Sequence, residues 1–181
     1  MRLLAAVIAC WGIGCAGAAS NLPPNDFRES DVSLFDNSVD LVASPVVVEG
    51  EYGAFERRVG RADVIASIRV LSLHSELIKR RSAYRLRVQV TDRLKGTSSS
   101  ELELRVADEE PGYRGVEANE DRLLHDAFIV FVKWEVSRAS SAPIAHWHLS
   151  PDSEAVRDKI DHVLHHPAPD PHTKVEVVEP R

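Results

Sequence analysis

Cysteine is nearly absent from this 181-residue chain: Cys10 and Cys15 are the only two, and nothing downstream carries a thiol. A domain without cysteine has no disulfide framework and no thiolate nucleophile. Long apolar runs are missing too. The N-terminal run from Leu3 to Gly14 falls short of the ~20 residues that a spanning helix needs. Nor is there a basic excess. Lys and Arg number 22 against 28 Asp and Glu, a formal charge of −6, which lacks the electrostatic footprint of a nucleic-acid binder. The motifs GxSxG, HExxH, GxxxxGK[ST] and GxGxxG are all absent, so the expectation is a non-catalytic protein with no cofactor.

What is present starts at the N-terminus. Arg2, the apolar run and the small residues after it have the layout of an export signal over residues 1–18. Its end reads in two ways. Ala16-Gly17-Ala18 is a small-x-small cleavage site that would release a soluble protein. Gly12-Ile13-Gly14-Cys15 resembles the lipobox of bacterial lipoproteins and departs from it at Gly12, where a larger aliphatic is usual. Val7-Ile8-Ala9-Cys10 fits that pattern residue by residue but leaves too short an apolar region before the cut. Lipidation of Cys15 is the preferred reading, since it uses up a thiol that would otherwise be free in an oxidising compartment. An uncleaved amphipathic anchor is the remaining alternative. With Ala16 after the cysteine, the resemblance implies a bacterial envelope protein, at the outer membrane facing the periplasm. The alternative location is secreted or periplasmic and soluble.

Three further regions follow. Residues 19–44, with Pro23-Pro24 and no sustained periodicity, read as a flexible linker, with Val39 to Val42 as the part that could pack on the domain. Residues 45–166 read as one domain, and 167–181 as a proline-rich mobile tail. Within the domain, Tyr84, Leu86, Val88 and Val90 alternate with Arg85, Arg87 and Gln89, the period of a half-buried strand. Leu102, Leu104 and Val106 do the same. Strands are also predicted over 63–73, over 145–149 and, nearly continuous and therefore central, over 127–134. Helices are predicted over 52–59 and over 151–164, the second with Ser150 as N-cap and Pro151 at its first position. Basic clusters at Arg57-Arg58 with Arg61, and at Lys79-Arg80-Arg81 with Arg85 and Arg87, read as a solvated strand face and a hairpin tip.

This pattern predicts a mainly β fold, a small antiparallel OB-like Greek-key barrel of five to six strands with a C-terminal helix packed on it. ADVIASIRVLS, YRLRVQVTDRLKG, ELELRV and LLHDAFIVFVKW, in that order, resemble the strand succession of netrin-module domains. That resemblance implies an OB-like barrel. It implies no protease inhibition, because inhibitory members depend on an N-terminal cysteine held by disulfides.

Three candidate sites remain. His146 and His148 lie two apart on a strand and share a face, while His162 and His166, with His165 beside them, close the last helix. Together they are the raw material of a zinc or copper site; the plainer reading is a wet strand face and a helix C-terminal cap. The acidic stretch 108–121 reads as a solvated loop without calcium-binding spacing. Tyr113 in that loop, with Arg114, is a candidate contact anchor for a protein partner. The overall expectation is an exported, lipid-anchored binding or assembly module with a protein partner in the envelope and no nucleic acid. A histidine-based metal protein or enzyme and a secreted inhibitor or immunity-type protein are the alternatives.

Overall fold

The computed structural model describes residues 26–41, 53–78, 80–136 and 143–166. The export signal with Cys15, the first part of the linker and the 167–181 tail lie outside the described residues. The order of elements is α1 (Glu29–Val32), β1 (Ser38–Val39), α2 (Ala54–Arg61), β2 (Val64–Ile78), β3 (Arg81–Lys95), β4 (Glu101–Ala107), α3 (Tyr113–Glu117), α4 (Glu120–His125), β5 (Ala127–Glu135), β6 (Ile144–Pro151) and α5 (Glu154–His165).

The protein is mainly β. One six-stranded sheet runs β1-β6-β5-β2-β3-β4, antiparallel throughout except for the short parallel pairing of β1 with β6. The ladder does not close, since β1 and β4 are its two edges. Apolar side chains of alternate residues collect on the two faces. One face carries Ile68, Leu86, Leu104, Phe128, Val130, Trp147 and Leu149, covered at one end by Val116 of α3 and Leu123 of α4. The opposite face of β2 and β5, with Ile65, Ile129 and Phe131, packs against Leu34, Phe35, Val59 of α2 and Val156, Ile160 and Val163 of α5. β5 is buried on both faces, which is why its sequence is a nearly unbroken apolar run.

Several boundaries differ from the sequence expectations, each for a local reason. The C-terminal helix begins at Glu154 rather than Pro151, because Pro151 is still paired with Phe128 at the end of β6. Its N-cap is Ser153, whose Oγ accepts a hydrogen bond from the Val156 N–H at 3.3 Å. The first predicted helix is displaced two residues and contains Gly60 instead of ending there. The stretch 108–121, expected as a solvated loop, forms α3 and α4, which bring Val116 and Leu123 into the core.

The largest correction concerns the linker. Residues 26–41, expected as part of a flexible tether, are integrated into the domain. Leu34 and Phe35 are 6 % and 1 % exposed, and burial of side chains this size contributes roughly 1.5–3 kcal/mol each. Asn37, in the left-handed region at φ 56° that asparagine tolerates better than most residues, binds the edge of β6 twice. Its N–H donates to Trp147 O at 2.8 Å, and its Oδ1 accepts from Trp147 N at 2.9 Å.

Candidate functional site

Two groups of polar side chains hold the N-terminal segment on the sheet, and both histidines of β6 belong to this interface. Alternation places His146 and His148 on the face opposite Trp147 and Leu149. That face was expected to be wet; it is covered because residues 26–40 cross it. His148 is only 4 % exposed. Its Nδ1 lies 3.1 Å from Asp36 Oδ1 and 3.1 Å from Ser38 Oγ, and its Nε2 lies 2.8 Å from Asp40 Oδ2. His146 stacks on Phe27 with ring centroids 4.5 Å apart and places Nε2 2.9 Å from Glu135 Oε2.

Serine, histidine and aspartate are the residue types of a charge relay, but a relay needs a hydroxyl free to attack. Ser38 instead donates to Asp36 Oδ1 at 2.6 Å and sits in the β1–β6 ladder. The arrangement is a clamp. Arg58 completes it from α2: its Nε donates to Leu34 O at 2.7 Å, and its guanidinium carbon lies 5.9 Å from the Phe131 ring centroid. Burial lowers the Arg58 pKa, and the charges of Asp40 and Asp36 act in the opposite direction.

A second group sits beside the first residues of the segment. Lys133 of β5, 2 % exposed, is paired with Asp63 Oδ1 at 2.8 Å and with Asp26 Oδ1. Arg61 at the end of α2 forks between Asp31 Oδ2 at 2.6 Å and Asp26 Oδ2 at 2.8 Å. The Lys133 hydrogen bond holds the Asp26 carboxyl below the usual range against the opposing effect of burial. For Asp31 and Asp36 burial is the largest influence and works against ionisation. Hydrogen bonds outweigh it, from Arg61 and the Arg28 backbone to Asp31 and from His148 and Ser38 to Asp36. The His148 hydrogen bond is the main cause of the lowered Asp40 value.

The sign of the pH effect follows. Each of these four carboxylates has a folded pKa below the ordinary 3.8, so each contributes stability above that value and loses it as pH falls through the depressed one. Docking of residues 26–41 is therefore expected to weaken in acid from about pH 4 downward while the β2–β3 ladder persists. Amide exchange protection factors measure this: those of Asn37 and Asp40, whose N–H groups donate to β6 carbonyls, should fall before those of Leu86 and Val88. Equal persistence of both sets would show that apolar contacts alone hold the segment.

The helix histidines do not join the strand histidines. His162 and His166 lie at the exposed end of α5 with ring centroids 4.9 Å apart. Among the described residues no group of three or more His, Cys, Asp or Glu is placed to hold a metal ion. Two of the four expected ligands are instead occupied at the clamp. Tyr113 is likewise not the exposed anchor expected: it is 8 % exposed and packs at 5.2 Å on Tyr84. Arg114 beside it is exposed and paired with Glu117 at 2.8 Å. Tyr84 in turn donates to Glu120 Oε1 at 2.5 Å, and that hydrogen bond, together with burial, raises the phenol pKa.

The outward-reaching feature is the β2–β3 hairpin. β5 accompanies β2 only to Arg69, opposite Ala127, and β4 accompanies β3 only from Ala83, opposite Ala107. Beyond these points only two pairs remain, Leu77 with Ser82 and Ile78 with Arg81, and this short tip is braced by the residues after β4: Asp108 N donates to Ser82 O at 3.0 Å, Ser82 N donates to Asp108 Oδ2 at 3.1 Å, and Arg81 pairs with Glu109. Leu77 is 73 % exposed. Arg80 in the turn has φ 71°, a conformation that two-residue hairpin loops normally give to glycine or asparagine. The basic cluster at 79–81 made the tip legible in the sequence. The arm's length was missed because His74, Glu76 and Ser75 dilute the alternation of Leu73 and Leu77. Compared with protein-family models, curated proteins and solved structures, the chain matches none of them.

Proposed function

We propose that this is an exported, lipid-anchored, non-catalytic envelope protein whose OB-like half-barrel is a protein-binding module, presenting the β2–β3 arm to its partner. The observation that carries the reading is the placement of the two ends. The N-terminal segment enters the domain at Asp26, beside Lys133 and Asp63 at the start of β2. The tip at Ile78–Arg81 lies at the other end of that strand. β5 leaves β2 at Arg69 and β4 leaves β3 at Ala83, so the two pairs Leu77–Ser82 and Ile78–Arg81 project past both neighbours, a tip of roughly 7 Å at ~3.3 Å per residue. A tether at one end and an arm at the other suit a module that holds on to a membrane and reaches away from it.

The same geometry shortens the tether. Ten residues separate Cys15 from Asp26, and even fully extended the connection reaches at most ~40 Å. A lipidated Cys15 would therefore keep the domain close to the bilayer surface. The OB-like reading has its own support. The five longer strands run β6-β5-β2-β3-β4 with α3 and α4 between β4 and β5. Trp147 Nε1 on β6 donates to Arg105 O on β4 at 2.9 Å across the open side, as in a five-stranded, partly open barrel.

Intact mass and detergent partitioning of the mature protein, beside Cys15→Ser, test the anchor. An acylated, detergent-phase product that becomes soluble in the variant is expected, and a soluble protein beginning at Ala19 would overturn the tether. A photocrosslinking residue at position 77 tests the arm in cells. A discrete protein adduct lost on Arg80→Glu is expected, with no equivalent adduct from position 32, another exposed apolar site. Adducts indifferent to Arg80→Glu would overturn the arm as the contact.

A further inference from the structure

The open end of the sheet opposite α3 and α4 carries an open cavity of about 270 Å³ lined by Thr97, Ser98, Ser99, Leu102 and Trp134. From this we infer a second binding site, for one neutral pyranose ring of a glycan. Three features of the site lead there. Among the described residues the lining carries no charge, and its polar groups are hydroxyls. The apolar part is an indole beside a leucine, a surface that suits the C–H face of a sugar ring. A pocket near the size of a small ligand, mainly apolar with a few converging polar groups at a barrel mouth, is the usual form of a small-molecule site.

The third feature is an unmet hydrogen bond. Ser98 Oγ is buried and has no hydrogen-bond partner among the described residues, whereas buried polar atoms are normally paired. The loop that holds it is built rigidly. Arg93 Nη2 donates to Ser98 O at 3.2 Å, Val90 N donates to Ser100 O at 2.9 Å, and Ser99 Oγ donates to Glu101 O. Gly96, at φ 70°, lets the turn close on Asp63: a Cβ there would stand 2.0 Å from Asp63 O. The backbone around Ser98 is thus held in place at the cavity, and a rotation of its side chain toward the opening would let a ligand hydroxyl pair with the Oγ. The strand that carries Trp134 is anchored here, because the residue's backbone N–H donates to Asp63 Oδ2 at 2.8 Å.

This site is independent of the β2–β3 arm and lies at the other end of the sheet. The probes are chitotriose and maltotriose, titrated into the full chain and followed by calorimetry and by tryptophan fluorescence. Trp147 is fully buried, and a Trp11→Phe background removes the third tryptophan, so a ligand-dependent change reports mainly on Trp134. Saturable binding of at least one probe in the millimolar range or tighter is expected. Ser98→Ala, which leaves the fold intact, should weaken it by about 3- to 10-fold, the worth of one neutral hydrogen bond. Trp134→Phe should weaken it further while retaining the thermal transition, and Arg80→Glu should leave it unchanged. No saturable change with either sugar at about 10 mM, or binding that both cavity variants leave untouched, would overturn the proposal.

Discussion

Gly112→Ala is expected to cost about 3 kcal/mol of stability, at the upper end of overpacking effects, and to release the N-terminal segment from the sheet. Gly112 has an ordinary φ of −73°, so the penalty is not conformational. It is steric: a Cβ would stand 1.7 Å from Asn37 O, 2.4 Å from its carbonyl carbon and 2.7 Å from Ser38 Cα. These are backbone atoms and cannot rotate away. Moving them breaks the paired hydrogen bonds between Asn37 and Trp147 and the 2.7 Å bond from Asn37 Nδ2 to Glu110 Oε1. Urea denaturation gives the loss, and limited proteolysis shows where it is felt. Cleavage should appear first within residues 26–41. A variant as stable as the parent would mean that the segment does not dock against Gly112.

Asp63→Ala has the next largest expected effect, also about 3 kcal/mol, because it removes the better-buried partner of an interior ammonium. Lys133 is 2 % exposed; Asp63 is 13 % exposed, whereas its other partner, Asp26, is 46 % exposed. Asp63 also accepts the Trp134 backbone N–H, so the substitution leaves the buried Lys133 with only the half-exposed Asp26 and strands a backbone donor. Lys133→Met should be costly for the reciprocal reason, leaving Asp63 short of a partner. The double variant should recover a large part of the loss, since a well-packed apolar pair in place of a buried ion pair is often nearly neutral. A double-mutant cycle in urea decides the matter: additive losses would show that the two residues do not act as a pair.

Much of the sheet was legible in the sequence because its cause is local. Strands at 84–90 and 102–106 announce themselves by alternation, as each buries one face of the same pleat. The run over 127–134 announces a central strand because both of its faces are covered. The turn at Leu94-Lys95-Gly96 follows from a backbone that only glycine adopts freely. Boundaries moved where two local signals competed. Pro151 suits the first turn of a helix and also the last residue of an edge-facing strand; the pairing with Phe128 decided for the strand.

The histidines show the limit of such reasoning. That His146 and His148 share a face is dictated by the period of a strand. Whether that face is open to a metal depends on what crosses it, and what crosses it is a segment more than a hundred residues earlier. That segment looked like a linker because its contacts are of a kind that periodicity does not register. Asp26, Asp31, Asp36 and Asp40 look like solvated loop residues until Lys133, Arg61 and His148 are placed opposite them. Tyr113 went the same way, from an exposed anchor to a core residue, once α3 turned it toward Tyr84.

The succession of the five longer strands, the helix at the C-terminus and the thiol-free composition of everything after Cys15 are legible from neighbouring residues, because periodicity and composition are local properties. Three matters rest on long-range pairing: that residues 26–41 belong to the domain, that the histidines of β6 form a clamp, and that the β2–β3 hairpin projects a short tip past its neighbours. Each depends on pairing between distant residues. The free energy of that pairing comes from burial and charge neutralisation across the sheet, and neither is encoded at either end alone.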